Sequence, residues 1–269
     1  MNTEIFKMLI LGIIQGITEF LPISSSGHIA LFESLLNYKI SVSQELILNA
    51  GTLLAIILYF NKDLIKFLIP SKDNTIKFYN FILPKMPILL IIGSIPAIIF
   101  ALVLGDFIEK ETSYLMMIGI MMIIIALFMF LAEKYFQKVK SLKQISVRDS
   151  IIIGFFQAIA LVRGTSRSGI SISAGYLRGL NAEASTNFSF LLGLPVIGGG
   201  VLLGIIKLSK TPISNSELGL LTVGFFASLF SGILAMKLLI SVVKTKGLKP
   251  FVIYRIIAGL TIIIYSLIK

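Results

Sequence analysis

The 269-residue chain is 56% hydrophobic and 14% charged, which excludes a soluble globular domain and reads as an integral membrane protein. It carries 24 lysines and arginines against 13 acids, a net charge of +11. In so apolar a chain that excess belongs to cytoplasmic loops and anionic lipid headgroups, and no nucleic-acid-binding motif accompanies it. With no cysteine there is no disulfide or thiol chemistry, and no small-residue cleavage site marks a signal peptide at the N-terminus.

In chain order, Glu4–Leu21 is apolar but is interrupted at Pro22, so it reads as the first arm of a re-entrant helical hairpin, with Gly27–Asn37 as the return arm. Glu45–Phe60 is the first full crossing. Asn61–Phe81 holds Lys62, Lys66, Lys72 and Lys77 and reads as a loop with an interfacial helix. Pro84–Leu104 spans, with Pro87 and Pro96 as candidate kinks; Gly105–Glu111 reads as a short acidic turn, and Ser113–Leu131 spans. Glu133–Arg148 is a basic loop. Ser150–Val162 and Ser168–Leu177 form a second re-entrant hairpin. Thr186–Leu208 spans, loosened by Pro195 and Gly198–Gly200; Ser216–Ile240 spans; Val243–Lys249 is a basic loop; Phe251–Leu267 spans.

The expected architecture is thus a single all-α membrane domain over residues 1–269. It consists of two repeats, about 1–133 and about 148–269, each a re-entrant helical hairpin plus three transmembrane helices. Three crossings between the hairpins invert the second repeat relative to the first, so the two tips can meet near the midplane. The loops at 61–83, 134–148 and 242–249 share one side and are all basic, while those at 105–112 and 209–215 carry only Lys110 and Lys210. The basic side is then cytoplasmic, and the first hairpin opens to the outside.

The first hairpin tip, Gln15–His28, reads QGITEFLPISSSGH, and an ungapped second copy lies 142 residues on. Gly12, Gln15, Ile17, Ser24, Ser26 and Gly27 recur as Gly154, Gln157, Ile159, Ser166, Ser168 and Gly169, while Ser25 becomes Arg167 and His28 becomes Ile170. Broken helices at membrane depth leave free N–H groups, tolerable only in a buried or wet site, and these with the hydroxyls of Ser24, Ser25 and Ser26 suit an anion such as phosphate. Glu19 is a carboxylate in an apolar segment, functional by default, with Gln15 one turn away on the same face. His28, the lone histidine, can act as base toward a serine hydroxyl. Arg167 offers a planar fork for phosphate oxygens. The plainer readings are a structural Glu19–Arg167 pair, a packing hydrogen bond for Gln15, serines that only cap helices, and an Arg163 that snorkels instead of touching the anion.

QGITEFLPISSSGH and GTSRSG (Gly164–Gly169) resemble the two signatures of the undecaprenyl-diphosphate phosphatase family of the bacitracin-resistance type. NAGTLLAIILYF, NFSFLLGLP and KPFVIYRIIAGL extend the resemblance along nearly the whole chain. It implies a multi-pass enzyme that removes the terminal phosphate of a polyprenyl diphosphate among membrane lipids, regenerating the carrier of cell-wall precursors. It implies Glu19, Ser25, His28 and Arg167 as functional residues. A divalent cation, Mg or Ca, with Glu19 as its ligand, and a homodimer are further expectations. Gln15, Ser24, Ser26, Gly27, Gly164, Thr165, Ser166, Ser168 and Gly169 are the expected substrate contacts, with Ser25 as nucleophile and His28 as its base. Two departures stand out: Gln15 where the family often has glutamate, and Arg163 where the second signature has proline. A transporter or lipid flippase would share the repeat and midplane site, and a non-catalytic scaffold is a third reading; a nucleophile beside a base favours the enzyme.

Overall fold

A computed structural model of the chain describes residues 2–69, 75–78, 81–112, 114–136, 139–208 and 215–268. The helices are α1 (Asn2–Phe20), α2 (Ser25–Leu35), α3 (Val42–Tyr59), α4 (Asn61–Leu68), α5 (Lys85–Thr112), α6 (Leu115–Tyr135), α7 (Val147–Ala158), α8 (Arg167–Leu177), α9 (Ala182–Leu208), α10 (Asn215–Lys246) and α11 (Lys249–Ile268). A small antiparallel hairpin joins β1 (Thr75–Phe78) to β2 (Phe81–Pro84). Among the described residues, six helices are long and apolar enough to cross a membrane: α3, α5, α6, α9, α10 and α11. These are the six crossings read from the sequence. Their outward faces carry side chains such as Leu102, Val103 and Leu234, all more than 60% exposed, as contact with lipid tails requires.

Several boundaries differ from expectation. Gly105–Glu111 is not a turn but the last two turns of α5. Its charges follow the apolar span and contain no proline, so nothing stops a helix that has left the bilayer. The basic Val243–Lys249 segment shrinks to Gly247 and Leu248 between α10 and α11. There Gly247 takes φ 66° and Glu133 Oε1 accepts from the Leu248 amide at 2.8 Å. Pro195 and Gly198–Gly200 do not interrupt α9. The region after α3 does hold a short amphipathic helix, α4, but the β-hairpin that follows was not foreseen; Lys72 and Lys210 lie outside the described residues.

The packing follows the sequence repeat. α1 lies along α10 and α7 along α5, while α6 and α11 pair with each other. Each contact is made at small residues that let backbones approach. A Cβ on Gly12 would strike Gly224 and Ala227, and one on its repeat counterpart Gly154 would strike the Gly93 backbone. Gly119 and Gly259 face each other reciprocally: a Cβ on either would come 2.8 Å from the other's carbonyl oxygen.

At the basic face, Asp149 is buried at the start of α7. It accepts from Ser146 Oγ (2.8 Å) and the Ser146 amide (3.0 Å), and pairs with Arg178 Nε (2.8 Å) and Lys140 Nζ (3.4 Å). Burial alone would push its carboxyl up, but the Ser146 hydrogen bonds, Arg178 and Lys140 together hold it below the ordinary carboxylate value. A depressed folded-state value means that Asp149 stabilises the fold above the unfolded carboxylate range and that this is lost as pH falls through the folded value. Thermal melts should therefore decline on acidification below about pH 4, and Asp149→Asn should lower the melting temperature at neutral pH and flatten that acid limb.

Candidate active site

The two tips have the same backbone. Pro22 ends α1, and Ser24 adopts φ 78°, ψ 99°; its counterpart Ser166 adopts φ 70°, ψ 107°. Both are left-handed conformations unusual for a side-chain-bearing residue. Each serine hydroxyl caps the next helix, accepting from the Gly27 and Gly169 amides at 3.2 Å. Each also lies near the serine two residues on, Ser26 at 3.2 Å and Ser168 at 3.3 Å.

The tips interlock. Ser26 Oγ accepts from the Gly164 amide (3.1 Å), and Ser168 Oγ donates to the Leu21 carbonyl (3.2 Å). Phe20 meets Phe190 edge-on at 5.5 Å beneath them. Arg255, on α11 and fully buried, ties the junction together. Its Nε donates to the Met122 carbonyl (3.1 Å), Nη1 to Pro22 (3.4 Å), and Nη2 to Gly164 (2.9 Å) and Thr165 (3.0 Å). No carboxylate among the described residues pairs with it, so its role is to hold both tips by their carbonyls. Arg255→Met would strand those buried carbonyls, at about 1–3 kcal/mol for each left without a partner, and is expected to lower the melting temperature by roughly 10 °C and abolish activity with it; differential scanning calorimetry checks this.

The reactive side chains converge on Glu19. Its Oε2 accepts from Ser25 Oγ at 2.8 Å and from Gln15 Nε2 at 3.2 Å; its Oε1 accepts from Arg167 Nη2 at 3.1 Å. Gln15 Nε2 also donates to Asn49 Oδ1 at 2.9 Å, which fixes the amide from α3. Arg167 Nη1 donates to the Ser189 carbonyl at 3.2 Å, and the guanidinium packs against Gly193, where a Cβ would overlap it. The plain Glu19–Arg167 pair is therefore present, as part of a larger set that includes the Ser25 hydroxyl.

His28 stands elsewhere. Its Nδ1 is 2.7 Å from the Ser24 carbonyl, which can only accept, so Nδ1 carries the hydrogen; Nε2 is 2.6 Å from the Tyr254 hydroxyl, and the two rings stack at 5.6 Å. His28, expected as the base for Ser25, does not contact the Ser25 hydroxyl in this arrangement; the Ser24 carbonyl and the Tyr254 hydroxyl take its two nitrogens. The fourth residue of α2 faces α11, whereas Ser25, the first, faces Glu19.

Two cavities meet here. One of about 370 Å³ is the more polar, lined by Gln15, Glu19, Ser25, Ser26, Glu33, Lys39, Glu45, Asn49 and Arg163 together with Ile29, Ile40, Val42 and Leu48. The other, about 610 Å³, runs between α5 and α9, walled by Ile98, Leu102, Pro195, Leu202 and Leu203 and closed at its inner end by Glu19, Ser25, Ser26, Gln157, Ser166 and Arg167. Glu19, Ser25 and Ser26 line both. Ser24, Gly27, Gly164, Thr165, Ser168 and Gly169 line neither and instead build the tips, so of the expected substrate contacts Gln15, Ser26 and Ser166 line these two cavities. Both carboxylate oxygens of Glu19 are engaged, and no group of three or more metal-ligating side chains gathers among the described residues. These residues do not form a cage for a divalent cation.

Sequence reasoning missed Asn49, Ser189, Gly193, Tyr254 and Arg255. All five lie in the three segments NAGTLLAIILYF, NFSFLLGLP and KPFVIYRIIAGL. Arg255 had a usable signal, a cation within an apolar span.

Fold and site together define a multi-pass α-helical membrane protein with a half-buried serine–carboxylate–arginine centre where two cavities join. The family model for bacitracin resistance protein BacA matches residues 8–261, and the chain belongs to that family. It is 36% identical to an undecaprenyl-diphosphatase of Methanococcus maripaludis strain C5, covering 96% of this chain and 98% of that one. It is 34% identical to an undecaprenyl-diphosphatase of Idiomarina loihiensis (98% and 99% covered) and 37% identical to one of Trichlorobacter lovleyi (96% and 95%).

Proposed function

We propose that the chain is an undecaprenyl-diphosphate phosphatase, releasing the terminal phosphate and returning the lipid monophosphate for reuse as a carrier in cell-wall synthesis. The observation that carries this reading is the junction of the two cavities at Ser25 and Glu19. A polar chamber for phosphate and an apolar groove for a prenyl tail share one nucleophile-bearing wall, as an amphiphilic diphosphate requires.

In this reading the terminal phosphate displaces Arg167 from Glu19 and is gripped by the guanidinium fork. Ser25 Oγ attacks the terminal phosphorus, its proton passes to Glu19 Oε2, and the bond from phosphorus to the bridging oxygen breaks. The lipid monophosphate leaves with that oxygen. Glu19 gives that proton to the departing lipid phosphate and is a base again. Water then attacks the phosphoserine and passes its proton to Glu19, the bond from phosphorus to Ser25 Oγ breaks, Glu19 returns the proton to Oγ, and inorganic phosphate departs by the polar cavity. Gln15 and Asn49 hold the carboxylate in line. His28 holds the Ser24 turn and so aims Ser25. Such chemistry rests mainly on positioning and charge stabilisation, which this sparse set can supply. A divalent cation, Mg or Ca, would supply charge neutralisation for the phosphates, and Glu19 is the carboxylate at the site that would face it.

The polar cavity opens beside Lys39 and Glu45, at the end of α3 opposite the lysine-rich segments, which supports an outward-facing site. The matched packing of α1–α10 with α5–α7, and the reciprocal Gly119–Gly259 contact, support two inverted repeats about an axis in the membrane plane. The test is analysis of both products from undecaprenyl diphosphate with purified protein, with and without EDTA. One phosphate per lipid and a monophosphate lipid product are expected. Intact diphosphate after prolonged incubation of folded protein, with and without added Mg or Ca, would point to the transporter reading.

A further inference from the structure

Gln157 is a polar side chain of the site that the mechanism leaves unused. Gln157 on α7, the counterpart of Gln15, is 2% exposed, yet neither its Nε2 nor its Oε1 has a hydrogen-bond partner. Gln15 is satisfied by Glu19 and Asn49. The second repeat has kept the glutamine but has Leu161 where the first has Glu19, and Asn187 Oδ1 on α9 is likewise buried and unpartnered. A buried amide without partners is costly, and an apolar residue of the same shape would serve packing better. Gln157 lines the inner end of the apolar cavity beside Arg167, whose Nε is also buried and unpartnered. Two orphaned donors thus border the same otherwise apolar chamber.

We propose that Gln157 Nε2 and Arg167 Nε bind the lipid-proximal phosphate, the one that stays on the prenyl chain. This rests on the phosphatase reading and deepens it. With the reacting phosphorus at Ser25 and the tail between α5 and α9, the second phosphate must lie between them, at the end of the cavity that Gln157 closes. A neutral amide donates there as negative charge develops on the leaving phosphate, and its Oε1 takes a phosphate hydroxyl or a water. Arg167 then touches both phosphates, Gln157 only the one that leaves with the lipid.

The test is calorimetric titration of the purified full-length protein with farnesyl monophosphate and, separately, with inorganic phosphate. Gln157→Leu is expected to weaken farnesyl monophosphate about tenfold, the worth of one hydrogen bond to a charged group, and to change inorganic phosphate by less than about twofold. Its melting temperature is expected not to fall, because the unmet amide is gone. If Gln157→Leu does not fold, Gln157→Glu, which sets a carboxylate against the phosphate, is expected to lose at least as much. Equal affinity of variant and wild type for farnesyl monophosphate, equal losses for both ligands, or no binding by the wild type would overturn the subsite. Binding that depends on Gln157 without phosphate release from farnesyl diphosphate would instead overturn the phosphatase reading and leave the subsite standing.

Discussion

Glu19→Gln is expected to slow phosphate release by about 10²–10⁴-fold, the range for loss of a general base, in a protein that still folds. The amide keeps the shape of the carboxylate and can still accept from Arg167, but it cannot take the proton from Ser25 Oγ, now held 2.8 Å from Oε2. The loss should fall on kcat. His28→Gln provides the contrast. His28 contacts the Ser24 carbonyl and Tyr254 and not Ser25, so its replacement should act through the tip, with a smaller loss and an unaltered pH profile. A larger loss in His28→Gln than in Glu19→Gln, with the acid limb of the pH–rate profile unchanged by Glu19→Gln, would restore histidine as the base.

Arg167→Lys is expected to lower kcat by about 10²–10³-fold, comparable to removing one oriented donor from a transition-state site. A lysine keeps the charge but offers a point donor. It cannot span Glu19 Oε1 and the Ser189 carbonyl as the guanidinium does, nor take phosphate oxygens two at a time. Gly193→Ala tests the same claim without touching charge. Its methyl group occupies the space of the guanidinium and must push Arg167 off its seat. Both variants should bind inorganic phosphate more weakly than wild type, and near-normal rates in both would remove Arg167 from the chemistry.

The six crossings, the two hairpins and their tips were legible because apolar runs of spanning length, Pro22 and the offset of 142 residues are properties of the chain alone. The partners at the tips were not. Local spacing places His28 three residues from Ser25, but the turn of α2 sends the histidine to α11 and the serine to α1. Arg255 reads as a cation in a span, yet only the meeting of α11 with both tips reveals that its partners are four backbone carbonyls. Gly193 carries no sign in sequence that a guanidinium lies across it. The charged end of α5 was misread as a turn because charge marks the end of a membrane crossing, not the end of a helix.

The central claim is that hydrolysis occurs at Ser25 between the hairpin tips. The most direct measurement is a quench of purified protein during turnover of undecaprenyl diphosphate labelled in its terminal phosphate, wild type beside Ser25→Ala. The account predicts label on a peptide containing Ser25 in the wild type, with neither labelled protein nor appreciable phosphate release in the variant. Phosphate release at the wild-type rate by Ser25→Ala would contradict it.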